Sequence, residues 1–154
     1  MILHIARSQL QTIQSHAEST YPEECCGLLL GKVSNDCKSV VEVVSTANAW
    51  NAAAPEYEDD TMGQGKIDRY AIAPQEMLKI QREARDRNLD IIGIYHSHPN
   101  HPAIPSECDR IYAWQQYSYV IVSVNNGKCD DVKNWSLDAQ HQFQSESLIV
   151  AELV

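Results

Sequence analysis

The stretch Asp90-Ile91-Ile92-Gly93-Ile94-Tyr95, followed at once by His96-Ser97-His98, decides how this chain folds. Its first six residues are mostly apolar and β-branched, a composition typical of a buried strand. On a strand, residues two apart face the same side, so the two imidazoles point in one direction. The stretch therefore predicts a core strand that ends in a pair of polar side chains on one face.

Helix and strand signals alternate on both sides of this stretch. Ser8 and Gln11 form a capping-box pattern that predicts a helix ending near Tyr21, and Pro74 and Ser106 mark the starts of two more helices. Apolar runs predict further strands at Cys26–Leu30, Val40–Val44, Tyr119–Val124, Val132–Leu137 and Phe143–Val150, the first two as a hairpin. Strands that alternate with helices indicate an α/β or α+β fold, with a mixed sheet between two layers of helices.

Length and charge narrow the classes of protein. The 154 residues correspond to one domain, 1–154, and the formal charge of −9 makes nucleic acid and anionic membranes poor partners. Apolar runs are too short to span a bilayer, and no signal peptide is visible at the N-terminus. Five cysteines, an odd number, favour thiols in a reducing cytoplasm over a disulfide framework.

Residues 48–66 break the pattern. They mix alanines and acidic residues with Pro55, Gly63 and Gly65, and they show no periodicity. A loop of this length in a compact domain is typically a lid, a binding loop or a disordered segment. We therefore expect 48–66 to be a lid or an insertion loop.

The two histidines gain a third potential ligand from Asp109, which follows His98 after ten intervening residues. Three prolines constrain the loop that returns the chain to the helix of Asp109. Two imidazoles and one carboxylate leave a fourth tetrahedral position open, as in catalytic zinc sites, although these ligands tolerate several divalent ions. Each residue alone has a plainer explanation: histidines in a polar rim, Asp109 as an acid favoured by the helix dipole, and Ser106 as an N-cap.

Taken together with an upstream glutamate, these residues resemble the JAMM (MPN-plus) metallopeptidases. The pattern of that family is a glutamate, then His-x-His, ten residues and Asp, and His96, His98 and Asp109 match it without a gap. The Ser-x-x-Asp element of the family falls on Ser106 and Asp109. The resemblance runs from the first helix to about Trp135 and is strongest to the short standalone bacterial members.

The family segment Glu-x-Cys-Gly aligns with Glu24-Cys25-Cys26-Gly27, which selects Glu24 over Glu23. The resemblance implies a curved mixed sheet in a three-layer domain and one Zn²⁺ per chain, held by His96, His98 and Asp109. It also implies that Glu24 exchanges protons with the attacking water and the leaving amine, and that Ser106 donates a hydrogen bond to the developing oxyanion.

The resemblance also implies a substrate. Short bacterial members look like partners of ubiquitin-like sulfur-carrier proteins, so we expect a zinc peptidase that acts on the C-terminal tail of such a carrier, releasing cysteine or exposing Gly-Gly. The tail is expected to lie along a sheet edge. Two alternatives stay open: a deubiquitinase-like isopeptidase acting on other ubiquitin-like conjugates, and a catalytically inert MPN interaction module. His101 remains a less favoured alternative ligand.

Overall fold

The computed structural model describes residues 1–50 and 65–152, which form one mixed sheet of eight strands with helices packed against it. The strands are β1 (Ile2–Ala6), β2 (Cys26–Ser34), β3 (Cys37–Thr46), β4 (Asp90–Pro99), β5 (Ser118–Asn125), β6 (Lys128–Leu137), β7 (Phe143–Ser145) and β8 (Ser147–Ala151). The helices of the described residues are α1 (Arg7–Thr20), α2 (Pro74–Asp86) and α3 (Glu107–Ile111). The strand order is β7-β6-β5-β4-β2-β3-β1-β8.

The two faces of the sheet bury different helices. On β2, Leu29 packs in a core with α1, whereas its neighbours Leu28 and Leu30 pack in a second core with α2. On β4, Ile92 packs on the α1 face and Ile94 on the α2 face although they are two residues apart, because the β2–β4 register is irregular there and leaves Ile92 without a partner on β2. The two cores confirm the predicted three layers, because α1 packs on one face of the sheet and α2 on the other.

The sheet is strongly curved. Lys38 of β3 donates a 2.9 Å hydrogen bond to Ser118 Oγ of β5, although β2 and β4 separate these strands in the sheet order. Glu146, between β7 and β8, accepts from Ser118 Oγ and also from Asn134 Nδ2 of β6, at 3.0 Å for the second bond. This buried polar network therefore joins strands from both halves of the sheet and confirms the expected curvature.

Several elements differ from the sequence prediction. The structure contains β1, which was not predicted, and α1 consequently begins at Arg7, where Gln9 and not Gln11 accepts a 2.8 Å bond from the Ala6 N–H. The predicted final strand is two strands interrupted by Glu146. The sequence does not predict β1, because its pairing partners lie far away along the chain: it pairs in parallel with both β3 and β8.

Most of the expected loop, residues 51–64, lies outside the described residues. Its described flanks, Asn48 to Trp50 and Gly65 to Lys66, lie beside Glu24: the Glu24 N–H donates to Lys66 O at 2.7 Å. Among the described residues, no helix combines the length and the apolar character that crossing a membrane requires.

Candidate active site

Three side-chain atoms meet where β4 ends and α3 begins. His96 Nε2, His98 Nε2 and Asp109 Oδ2 lie 3.1 Å from one another in all three pairings. Tetrahedral zinc with ligand distances near 2.0–2.1 Å separates its ligand atoms by roughly 3.3–3.4 Å. The triangle thus has the size and the donor types of one face of a zinc tetrahedron. In the described part of the chain, these residues form the one histidine, cysteine or acid cluster of that kind.

The surroundings of His98 set its tautomer. Its Nδ1 lies 2.8 Å from the carbonyl oxygen of Pro102, which can only accept, so Nδ1 carries the proton and Nε2 presents a lone pair to the site. Burial lowers the pKa of His98, but its contacts with Asp109 and Pro102 outweigh burial and raise the pKa above its usual value. For His96, burial dominates and lowers the pKa. The neutral form of His96 is the form that binds a metal.

Asp109 is held by the first turn of α3. Its backbone N–H donates to Ser106 Oγ at 3.0 Å, and Ser106 N–H donates back to Asp109 Oδ2 at 2.9 Å. Burial opposes ionisation of Asp109, yet the adjacent His96 and His98 hold its pKa well below the usual range. Ser106 is therefore the N-cap of α3, which is the structural role that its position in the sequence predicted. It is also exposed, and as an acceptor in the cap it keeps its own hydroxyl hydrogen to donate.

Glu24 reaches the site from the neighbouring strand. Cys26 of β2 is paired with His96 of β4, and Cys25 N–H donates to Ser97 Oγ at 2.8 Å, so the next step of this register places Glu24 beside His98. Glu24 is 4% exposed. Burial, followed by the charges of Asp109 and Asp68, raises the pKa of its carboxyl well above the usual value.

The Oε1 atom of Glu24 is buried without a hydrogen-bond partner among the described residues. A buried carboxylate oxygen without a partner costs free energy, and such groups occur at functional sites. Its neighbour Glu23 is exposed, in agreement with the choice of Glu24 over Glu23 made from the sequence.

Two further residues at the site were missed by sequence reasoning. The ring of Tyr70 stacks on His96 with centroids 4.4 Å apart and an angle of 23° between the planes. Asn48 hydrogen-bonds the main chain of Glu24. A tyrosine or asparagine in a segment without periodicity carries no local signal, because both contacts join residues more than twenty positions apart.

A cavity of about 560 Å³ opens beside the metal-ligand group, with Asp109 in its wall. Its other walls come from the segment before α2, from α2 itself, from the stretch after α3 and from strands β4 and β5, and they are mainly aromatic and aliphatic. Residues that represent these walls are Tyr70, Ile72, Met77, Tyr112, Trp114 and Tyr119. Trp114 is 59% exposed, so part of this apolar surface faces solvent next to the candidate metal centre.

The remaining candidates fall outside the site. His101 is exposed and is not part of the ligand group, so the alternative ligand set is not supported. All five cysteines are free, and none belongs to a metal-ligand cluster of the described residues. Cys25 and Cys26 are buried in the sheet, where burial raises the pKa of the Cys25 thiol to about 12.

Comparisons with known proteins give this geometry a context. The model of the family described as prokaryotic homologs of the JAB domain matches residues 6–138. A desampylase of Pyrococcus furiosus is 29% identical over 147 residues, 96% of this chain and 86% of that protein. A probable TtuB-protein conjugate cleaving protease of Thermus thermophilus is 27% identical over 121 residues, 79% of this chain and 70% of that protein. A solution structure from Desulfitobacterium hafniense matches with a TM-score of 0.78 and 26% identity, covering 100% of this chain and 95% of that one.

Proposed function

This chain belongs to the family of prokaryotic homologs of the JAB domain, and from that premise we propose that it is a zinc-dependent peptidase acting on the C-terminal tail of a ubiquitin-like sulfur-carrier protein. The family makes it a hydrolase of the JAMM type. The observation that carries the proposal is the meeting of three ligand atoms, 3.1 Å apart, beside a buried glutamate with an unpaired oxygen.

The residues divide the chemistry among them. His96, His98 and Asp109 would hold one zinc ion, which would supply Lewis acidity to the amide carbonyl and to the attacking water. Glu24 accepts the proton of the attacking water at its carboxylate and returns it to the nitrogen of the leaving amine. The free hydroxyl hydrogen of Ser106 is donated to the carbonyl oxygen as negative charge develops there.

The pairing of β4 bears on the expectation that the substrate tail lies along a sheet edge. Strand β4 pairs with β2 up to His96 and with β5 as far as Pro99, so up to His96 it offers no free edge to which a tail could add. The apolar cavity beside Asp109 offers a route instead. The cavity suits an extended tail that carries an apolar side chain before its Gly-Gly, because the apolar side chain would fill the cavity while the glycines enter the site.

The named relatives favour a second acceptor for the same chemistry. One is a desampylase, and another is described as cleaving TtuB-protein conjugates. We therefore keep as the second candidate an isopeptidase that releases a ubiquitin-like protein from a lysine of a conjugated protein. The inert interaction module is disfavoured, since a complete ligand set, Glu24 and Ser106 are all present in this chain.

A mass measurement distinguishes these possibilities. The purified zinc-loaded protein is incubated with ubiquitin-like carriers that bear short C-terminal extensions and, separately, with carriers joined to lysine side chains. The proposal expects a mass loss equal to the extension, leaving Gly-Gly at the new terminus. Cleavage of the lysine-linked material alone would replace the proposal with the second candidate, and no cleavage of either would refute both.

The setting of this activity is part of the proposal. We propose a single catalytic domain, 1–154, in the cytoplasm, where the five free thiols are stable. One zinc ion per chain follows from the single cluster of ligand atoms found in the described residues.

A further inference from the structure

We propose that Asn48 is a positioning residue for the reaction, and that its side-chain amide holds Glu24 and Tyr70 in place against the metal-ligand group. This inference rests on the proposed function, because it assigns the proton transfer to Glu24. The hydrogen bonds of the Asn48 side chain go to main-chain groups of other residues, and through these it acts.

The amide of Asn48 uses its whole hydrogen-bonding capacity on backbone groups. Its Nδ2 donates to Glu24 O at 3.1 Å and to Arg69 O at 2.9 Å. Its Oδ1 accepts from Trp50 N–H at 3.1 Å and from Ala71 N–H at 3.2 Å. A primary amide offers two donors and two acceptor positions, so these four bonds satisfy it completely. One side chain thereby connects three separate segments of the chain.

The first of these segments carries the proposed acid/base. Both main-chain groups of Glu24 are tied by the surrounding polypeptide: its N–H donates to Lys66 O and its carbonyl accepts from Asn48. The next residue, Cys25, is tied to Ser97, which lies between the two histidine ligands. The backbone from which the Glu24 carboxyl extends is thus fixed by Asn48 on one side and by the ligand strand on the other.

The second segment carries Tyr70. Asn48 binds the residues on both sides of it, through Arg69 O and Ala71 N–H, and Ala49 N–H donates to Ala71 O at 2.8 Å. Tyr70 itself stacks on the ring of His96. Displacing this segment removes the stacking partner of a metal ligand that has no hydrogen bond at Nδ1 among the described residues. Asn48 therefore fixes the positions of Glu24 and Tyr70 through hydrogen bonds to the main chain.

Positioning, as opposed to binding of the substrate, predicts a specific kinetic signature. Misplacing a reacting group by about 1 Å can cost on the order of 10²-fold in rate. For Asn48→Ala we expect kcat to fall by about 10- to 100-fold, with KM within roughly twofold of the original, because the lost interaction matters only in the transition state. Zinc content is expected to stay at one per chain.

The control is Asn134→Ala. Asn134 is buried, and its amide donates to Glu146 in the network within the sheet, away from the ligand group. This variant is expected to lower the unfolding temperature while leaving kcat unchanged. A second variant, Asn48→Asp, keeps the acceptor oxygens for Trp50 and Ala71 but loses both donor bonds, so it should fold and should also lower kcat.

Hydrogen exchange supplies a readout that does not depend on activity. In metal-free protein, the amides of Trp50 and Ala71 are expected to lose protection in Asn48→Ala and to keep it in Asn48→Asp. Retained protection in Asn48→Ala, unchanged kcat in both variants, a rise in KM alone, or failure of both variants to fold would each overturn the proposal. If the unaltered enzyme cleaves no substrate, the proposed function fails by itself, and exchange alone decides the role of Asn48.

Discussion

Glu24 is a carboxylic acid in a place that water scarcely reaches, 4% exposed and with Oε1 unpaired among the described residues. Folding alone does not favour such a group, since burial without hydrogen bonds destabilises a carboxylate. Glu24 lies beside the strand of the two histidines, and burial raises the pKa of its carboxyl. The proposed acid/base role would use this shift, because a raised pKa brings a carboxylate closer to the range in which it can both take and return a proton near neutral pH.

Replacing Glu24 with glutamine tests this role. Glu24→Gln removes the proton acceptor and leaves the three ligands untouched, so turnover should fall by about 10²- to 10⁴-fold while zinc stays bound. Turnover and zinc content are measured on the same preparation. The adjacent Glu23→Gln, at an exposed position, is the matched control and should match the unaltered protein. Retained turnover in Glu24→Gln would remove the acid/base assignment.

The same substitution has a predictable effect on stability. In metal-free protein the pKa of Glu24 lies above its ordinary value of 4.5, so as the pH rises past about that value the unfolded chain ionises first and the folded state loses stability. Glutamine does not ionise. The unfolding temperature of Glu24→Gln minus that of the original should therefore grow as the pH rises from about 4 towards 8. A difference that is constant with pH would show that the carboxyl is not buried as described.

At the scale of elements, the five-residue helix α3 places Asp109 beside the two histidines. It is too short to be stable by itself, and its capping box with Ser106 connects the cap directly to the ligand carboxylate. Ser106 can thus act as a cap, as an oxyanion donor or as both, and the two roles require different atoms: the Oγ lone pair for the cap and the hydroxyl hydrogen for the substrate.

Glycine and alanine at this position separate the two roles. Glycine replaces serine at an N-cap for only a few tenths of a kcal/mol, whereas alanine costs about 0.5–2 kcal/mol. Ser106→Gly and Ser106→Ala should therefore differ in unfolding temperature, yet both should lose about 10²- to 10³-fold in kcat if the hydroxyl stabilises the oxyanion. Near-normal kcat in Ser106→Gly would leave Ser106 as a cap and nothing more.

The elements also show what the sequence could and could not predict. The meeting of His96, His98 and Asp109 was predictable, because the side-chain period of a strand puts the two histidines on one face and Ser106 marks where the helix of Asp109 starts. Strand β1, Asn48 and Tyr70 were not, because their partners lie far away in the chain and main-chain contacts of a side chain leave no periodic trace. The start of the short helix α3 after Ser106 was predicted correctly.

At the scale of the whole molecule, the curved sheet brings residues from distant parts of the chain to one place. Glu24 lies just before β2, the histidines lie at the end of β4 and Asp109 lies in α3, while the cavity between α2 and the stretch after α3 opens on the same point. The described residues thus converge on a single candidate metal-ligand group, and the proposed hydrolysis should depend on that group being filled.

A zinc titration of hydrolysis tests this dependence most directly. Metal-free protein is mixed with increasing zinc, and cleavage of a carrier bearing a C-terminal extension is followed by mass, with His96→Ala as the control that should neither bind the ion nor cleave. The predicted result is a rate that rises from near zero and levels off at about one equivalent of zinc per chain. Cleavage by metal-free protein at the full rate, or a zinc-loaded protein that cleaves no ubiquitin-like substrate, would contradict the account.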